Sequence, residues 1–92
     1  MADPAIPDRP RLAPGVRLRF DKTRGIWVLL CPERVIEAEG PASEILRRCD
    51  GTRTLGEIID ELAAVFTADR AVIAQDVTDM LTELATKRIL VS

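Results

Sequence analysis

Six consecutive apolar residues, Ile26, Trp27, Val28, Leu29, Leu30 and Cys31, constrain this chain more than any other stretch. A run so short and so continuous reads as a strand covered on both faces, not as a helix with one wet side. Pro32-Glu33 interrupts it, and Pro32 suits position i+1 of a tight turn from Cys31 to Arg34. A weaker apolar segment follows at Val35, Ile36 and Ala38. The spacing predicts a hairpin over residues 26–39, a central strand followed by an edge strand at about 34–39. Glu33, Glu37 and Glu39 would suit a helix as well, and propensity is a weak arbiter between the two.

Upstream, Val16, Leu18 and Phe20 alternate with Arg17 and Arg19, the period-two mark of a strand with one wet face. Asp21-Lys22-Thr23-Arg24-Gly25 suits a hairpin loop. Three strands joined by short loops make a meander, which leaves the third strand with a free edge. Residues 1–14 carry Pro4, Pro7, Pro10 and Pro14. Proline lacks an amide donor and resists helix, so this stretch is expected to be a flexible tail ahead of a folded domain at 15–92. Arg17, Arg19, Lys22 and Arg24 form a basic cluster, either a solvated sheet face or a contact surface for an acidic partner.

Downstream, Gly40-Pro41 ends the sheet, and proline is well suited to a first helical turn. Ala42, Ile45, Leu46 and Cys49 fall on one helical face, with Gly51 placed to cap it in the left-handed conformation. Thr54-Leu55-Gly56-Glu57 fits a capping box opening a second helix, whose stripe is Leu55, Ile58, Ile59, Leu62 and Phe66. A third helix is predicted at about 71–87, lined by Ile73, Val77, Met80, Leu81 and Leu84. Asp69 at its start and Lys87-Arg88 at its end complement the helix dipole. Ile89-Leu90-Val91 would pack back on the core. Strands first and helices after predict an α+β domain, a three-stranded antiparallel sheet followed by three helices, winged-helix-like.

Chemistry is constrained mainly by what is missing. The 92 residues include no histidine and no tyrosine, and the glycines are isolated, so no phosphate-binding loop is present. Ser43 and Ser92 have no histidine base. Cys31 and Cys49, without histidine, cannot complete a zinc set, and both are expected to be buried reduced thiols. The pairs Glu37 with Glu39 and Asp76 with Asp79 read as solvated charges. No catalytic residue, metal or cofactor is expected, and the chain is not read as an enzyme. Thirteen basic against 15 acidic residues give a net charge of -2 and no general pull toward nucleic acid or anionic membrane. No apolar run approaches the ~18 residues of a spanning helix, and the N-terminus lacks the apolar core of a signal peptide, so a cytoplasmic location is expected.

The functional classes left are binding classes. A winged-helix DNA-binding protein is one, although Asp76, Asp79 and Glu83 on the third helix would repel phosphates. A purely structural dimer through the third-strand edge is another. The favoured class is peptide binding, in which an extended segment adds to that edge as a further strand. The charges of Glu37 and Glu39 would also discourage edge-to-edge aggregation.

The segments RLAPGVRLRFDKTRGIWVLLCPERVIE and EILRRCDGTRTLGEIIDEL resemble the PqqD family of pyrroloquinoline quinone (PQQ) biosynthesis, as does the spacing of Asp76, Val77, Leu81, Leu84 and Lys87. The resemblance implies a peptide chaperone, a precursor-peptide recognition element that binds the ribosomal peptide PqqA. It presents that peptide to PqqE, a radical SAM enzyme that cross-links a glutamate and a tyrosine side chain. Nucleic acid and membrane are not partners on this reading, and the chain is a monomer or weak homodimer. The resemblance places the leader segment between the third strand and the third helix. Carried onto this chain, Arg34, Val35, Ile36, Glu37, Ala38 and Glu39 form the strand side of the groove. Ile73, Asp76, Val77, Met80 and Leu84 are candidates on the helical side. This chain departs from the family at Ala38-Glu39-Gly40-Pro41, where a Leu-Asn pair is common, and at Lys87-Arg88-Ile89, where Lys-Gly-Leu is common.

Overall fold

The computed structural model describes residues 6–91. The elements are β1 (Arg11–Leu12), β2 (Arg17–Asp21), β3 (Ile26–Cys31), β4 (Arg34–Ala38), α1 (Pro41–Arg47), α2 (Leu55–Phe66), α3 (Arg70–Thr86) and β5 (Leu90–Val91). Strands β2, β3 and β4 form an antiparallel sheet with β3 in the middle, so the expected meander and helix order are present. Residues 34–38 are strand, which removes the helical alternative for that segment.

The register sorts the side chains. Leu18 pairs with Leu29 and Leu29 with Ile36, while Trp27 pairs with Phe20 on one side and Ala38 on the other. Directly paired residues share a face, and successive residues alternate. Leu18, Trp27, Leu29, Cys31, Ile36 and Ala38 therefore face the helices and join the core with Ile45, Leu46, Ile58, Leu62, Val77 and Leu81. The opposite face carries Arg17, Arg19, Val28, Leu30, Val35 and Glu37. The apolar continuity of β3 thus has two outcomes, a core face and an outer face that no helix covers.

The helices start and stop for local reasons. Pro41 opens α1, and the helix ends at Arg47, where the Arg48 amide donates to the Ile45 carbonyl and the Cys49 amide to the Leu46 carbonyl, each at 3.1 Å. The expected cap at Gly51 is therefore corrected. Gly51, at φ +84°, instead donates its amide to the Pro10 carbonyl at 3.0 Å as the N-terminal segment passes. The Thr54–Glu57 capping box is complete, with Glu57 N–H to the Thr54 hydroxyl at 3.2 Å and Thr54 N–H to the Glu57 carboxylate at 2.8 Å. Asp69 caps α3 by accepting from the Ala71 amide at 2.9 Å. Between α1 and α2, Arg48 reaches Glu44 at 2.8 Å and Glu61 at 3.2 Å, and Arg53 shares Glu61 at 2.7 Å.

The expectation of a flexible tail through Pro14 is corrected over its second half. Arg11–Leu12 pairs with Leu90–Val91 as an antiparallel two-strand ribbon, and the Ala13 amide donates to the Ile89 carbonyl at 2.8 Å. Pro10 is fully buried, and Arg9 donates to the Thr52 carbonyl at 2.8 Å. The physical reason is pairing across almost the whole chain, which no local pattern announces. The ordered unit begins before residue 15, and residues 1–5 lie outside the described part. Ile89 and Leu90 are buried, so the apolar end does pack back.

Cys49 is buried, its Sγ donating to the Ile45 carbonyl at 3.3 Å, whereas Cys31 is only half-buried. No described helix is long and apolar enough to cross a membrane.

Candidate peptide-binding site

The edge strand β4 follows from the turn that makes it. Cys31 and Arg34 flank a two-residue turn and are direct partners. In an antiparallel hairpin that pair is the hydrogen-bonded one, and bonded and non-bonded pairs then alternate. Leu30–Val35 and Val28–Glu37 are consequently the non-bonded pairs, so the amide and carbonyl of Val35 and of Glu37 point away from β3. No other described backbone group takes them up. Ile36 and Ala38 spend their backbone groups on β3 and their side chains on the core. A β-strand edge of this kind can accept a further strand.

At the far end of β4 the chain turns into α1, Pro41 standing three residues beyond Ala38. Pro41 is one wall of a largely apolar cavity of about 280 Å³ between α1, α2 and the start of α3. Ile45 and Leu62 form part of its lining, with Phe66 and Ala68 from the end of α2. Val72, Ile73, Asp76 and Val77 of α3 complete it. Three residues of extended chain span at most roughly 10 Å, so the free edge runs out beside this cavity. Its size suits one or two apolar side chains. Asp76, exposed and with no ion pair among the described residues, is the one charge in the lining.

The eleven residues singled out from the sequence fall into distinct roles. Arg34, Val35, Glu37 and Glu39 are exposed along or just beyond the edge, and Ile36 is half-buried. Ala38, Val77 and Leu84 are buried in the core. Val77 still reaches the cavity from below; Leu84 and the half-buried Met80 do not line it. Ile73, Asp76 and Val77 line the cavity together, about one turn apart on α3, and no β4 residue lines it. Pro41, Phe66, Ala68 and Val72 were not singled out as binding residues. A signal existed for Val72 and Phe66, which stand 56% and 37% exposed. Large apolar side chains left in water at neighbouring helix ends mark a contact surface.

Two carboxylates, at the start of α2 and in the loop before it, show why the local electrostatics are structural. Glu57 is held below the usual carboxylate range chiefly by the Thr54 backbone amide. Asp50 is held down by the Thr52 hydroxyl and amide. Neither belongs to the cavity. Among the described residues no three histidine, cysteine or acidic side chains are grouped to hold a metal.

Comparison with known proteins points in one direction. The family described as Coenzyme PQQ synthesis protein D (PqqD) matches residues 27–90. A protein of Rhodopseudomonas palustris (strain BisB5) called PqqA binding protein is 52% identical over 82 residues, covering 89% of this chain and 80% of that one. The PqqA binding protein of Xanthomonas oryzae pv. oryzae (strain KACC10331 / KXO85) is 50% identical, with 89% of each chain covered. The solution NMR structure of the PqqD truncation of Methylobacterium extorquens PqqCD, a stand-alone recognition element for ribosomally synthesized and post-translationally modified peptides, superposes with a TM-score of 0.80 at 40% identity over the whole of both chains. The crystal structure of PqqD from Xanthomonas campestris gives a TM-score of 0.61 at 46% identity, with 88% of this chain and 90% of that one covered. On the family match, the sequence identities and the shared architecture, this chain belongs to the PqqD family.

Proposed function

We propose that this chain is a non-catalytic peptide chaperone of PQQ biosynthesis. It captures the precursor peptide PqqA as an added strand on β4 and presents it to the radical SAM enzyme PqqE. The observation that carries the reading is the free edge at Val35 and Glu37, which ends beside an apolar cavity. Main-chain hydrogen bonds to those two residues set the register of the peptide. An apolar peptide side chain enters between Phe66, Val72 and Ile73, and Asp76 favours a cationic neighbour there. Family membership and the relatives called PqqA binding protein support the choice of peptide.

The energetics fit a reversible carrier. Fixing each peptide residue costs roughly 1–2 kcal/mol of backbone entropy, which cancels much of the gain from strand pairing and burial. A short segment is expected to bind in the micromolar range, about 8 kcal/mol. A carrier that releases its cargo to an enzyme needs no more.

Titration of ¹⁵N-labelled protein with PqqA tests the reading. Amide shifts are expected on residues 34–39 and on the first half of α3; shifts confined to residues 17–24 would overturn it. Val35→Pro supplies the second arm. Proline is tolerated at an edge position whose amide faces solvent, so the fold is expected to persist while the peptide loses a main-chain bond and affinity. Unchanged affinity in the folded variant would exclude strand addition.

A further inference from the structure

The outer face of the sheet carries a second surface that peptide capture leaves unused. Arg17 and Arg19 project from β2 on this side, and Lys22 follows in the loop. None of the three has an ion pair or hydrogen bond among the described residues, although the chain as a whole carries a net charge of -2. Arg24 differs, being tied to Glu37 at 2.8 Å. Beside the free cations lies an open cavity of about 510 Å³, whose apolar floor on this face is Leu30 over the buried Val28, with Arg19 and Lys22 among its polar walls. Phe20 pairs with Trp27 and so stands on the helix-facing side, where the two rings meet edge-on at 5.4 Å between centroids, outside this surface.

We propose that this face docks an acidic protein surface that offers an apolar side chain to Leu30, above the buried Val28. The inference rests on the chaperone reading above, in which the partner is the peptide-modifying enzyme. Unpaired guanidinium and ammonium groups around an apolar floor set the partner's chemistry, carboxylates surrounding one inserted side chain. Nucleic acid fits less well. The free cations are few, Asp21 and Glu37 stand among them, and the apolar floor has nothing to contact on a phosphate backbone. The location suits an adaptor. This surface flanks β2 and the peptide edge is β4, on opposite sides of β3. Neighbouring strands are about 4.8 Å apart, so the two edges are separated by roughly 10 Å and both can be occupied at once.

The test uses the full ¹⁵N-labelled chain with purified PqqE, with and without saturating PqqA. Enzyme-induced shifts are expected on residues 17–22, Val28 and Leu30. Arg17→Glu combined with Arg19→Glu is expected to weaken enzyme binding at low salt by about tenfold or more while leaving PqqA affinity unchanged. Lys22→Glu, in a loop that tolerates substitution, is expected to act in the same direction and decides the matter should the double variant fail to fold. Enzyme shifts confined to β4 and α3, or full enzyme affinity in Lys22→Glu, overturn the proposal. So does a complex of this face with a DNA or RNA duplex that dissolves steeply with salt. Absence of enzyme binding by the unaltered chain also overturns it, and peptide affinity measured alone shows whether the capture reading survives.

Discussion

The Arg24 guanidinium lies 2.8 Å from the Glu37 carboxylate and so joins the β2–β3 loop to the edge strand β4. Both side chains are about half exposed, so the pair is screened and contributes well under 1 kcal/mol. Glu37 also presents outward backbone groups, which separates two roles within one residue. Glu37→Gln is expected to change unfolding free energy by less than about 0.5 kcal/mol in a denaturant titration. It is expected to leave peptide affinity unchanged, because the backbone is retained. A large loss of affinity would mean that the carboxylate itself reads the peptide.

A second expectation concerns strain after α3. Arg88 sits at φ +59° while the Ile89 amide donates to the Leu84 carbonyl at 2.9 Å. A left-handed conformation is unfavourable for a residue with a side chain and free for glycine. Arg88→Gly is therefore expected to stabilise the fold by about 0.5–1 kcal/mol, the helix-cap strain outweighing glycine's extra unfolded-state entropy. In a domain this small that is a rise in Tm of roughly 2–8 °C by calorimetry. Arg88→Ala, which keeps the strain, serves as the control and is expected to gain nothing.

Acid stability should report the starts of α1 and α2 and the loop between them. Glu57, Asp50 and Glu44 are all held below the usual carboxylate range, Glu57 chiefly by the Thr54 amide, Asp50 by the Thr52 hydroxyl and Glu44 by Arg48. A carboxylate with a depressed folded-state pKa contributes stability above its unfolded value and loses it as pH falls through the folded one. Stability is thus expected to hold from neutral pH down to the ordinary carboxylate range and to fall below it. Glutamine can also close a capping box, so Glu57→Gln should keep most of the neutral-pH stability and flatten the acid limb. An unchanged acid limb would assign the loss elsewhere.

The two thiols should separate kinetically. Burial pushes Cys49 up to about 12, so almost no thiolate exists at neutral pH and reagents reach it only through opening of the fold. Cys31 is only half-buried. A thiol reagent is expected to label Cys31 first, with Cys49 following at the rate of unfolding; equal rates would contradict the packing of Cys49.

The legible part of this fold was the part with short-range patterns. Alternation at Val16, Leu18 and Phe20, continuous apolarity at β3 and the Thr54–Glu57 box each act within a few residues, and each appears where expected. The β1–β5 ribbon was not legible, because Arg11–Leu12 and Leu90–Val91 are too short to show a period and meet only in the folded chain. Gly51 looked like a helix cap for the same reason, its actual neighbour being Pro10. On α3, one apolar stripe holds both core and cavity residues. Periodicity puts Ile73, Val77 and Leu84 on one side but cannot tell which meet the core and which line the cavity. That division depends on where α1 and the end of α2 stand.

The most direct measurement is amide hydrogen exchange along β4 with and without PqqA. Ile36 and Ala38 bond to β3 and are expected to be protected already, while Val35 and Glu37 face solvent and exchange quickly. Saturating peptide is expected to slow Val35 and Glu37 specifically, turning an alternating pattern into a uniform one. Persistence of the alternating pattern in the saturated complex would contradict capture of the peptide as a strand on this edge.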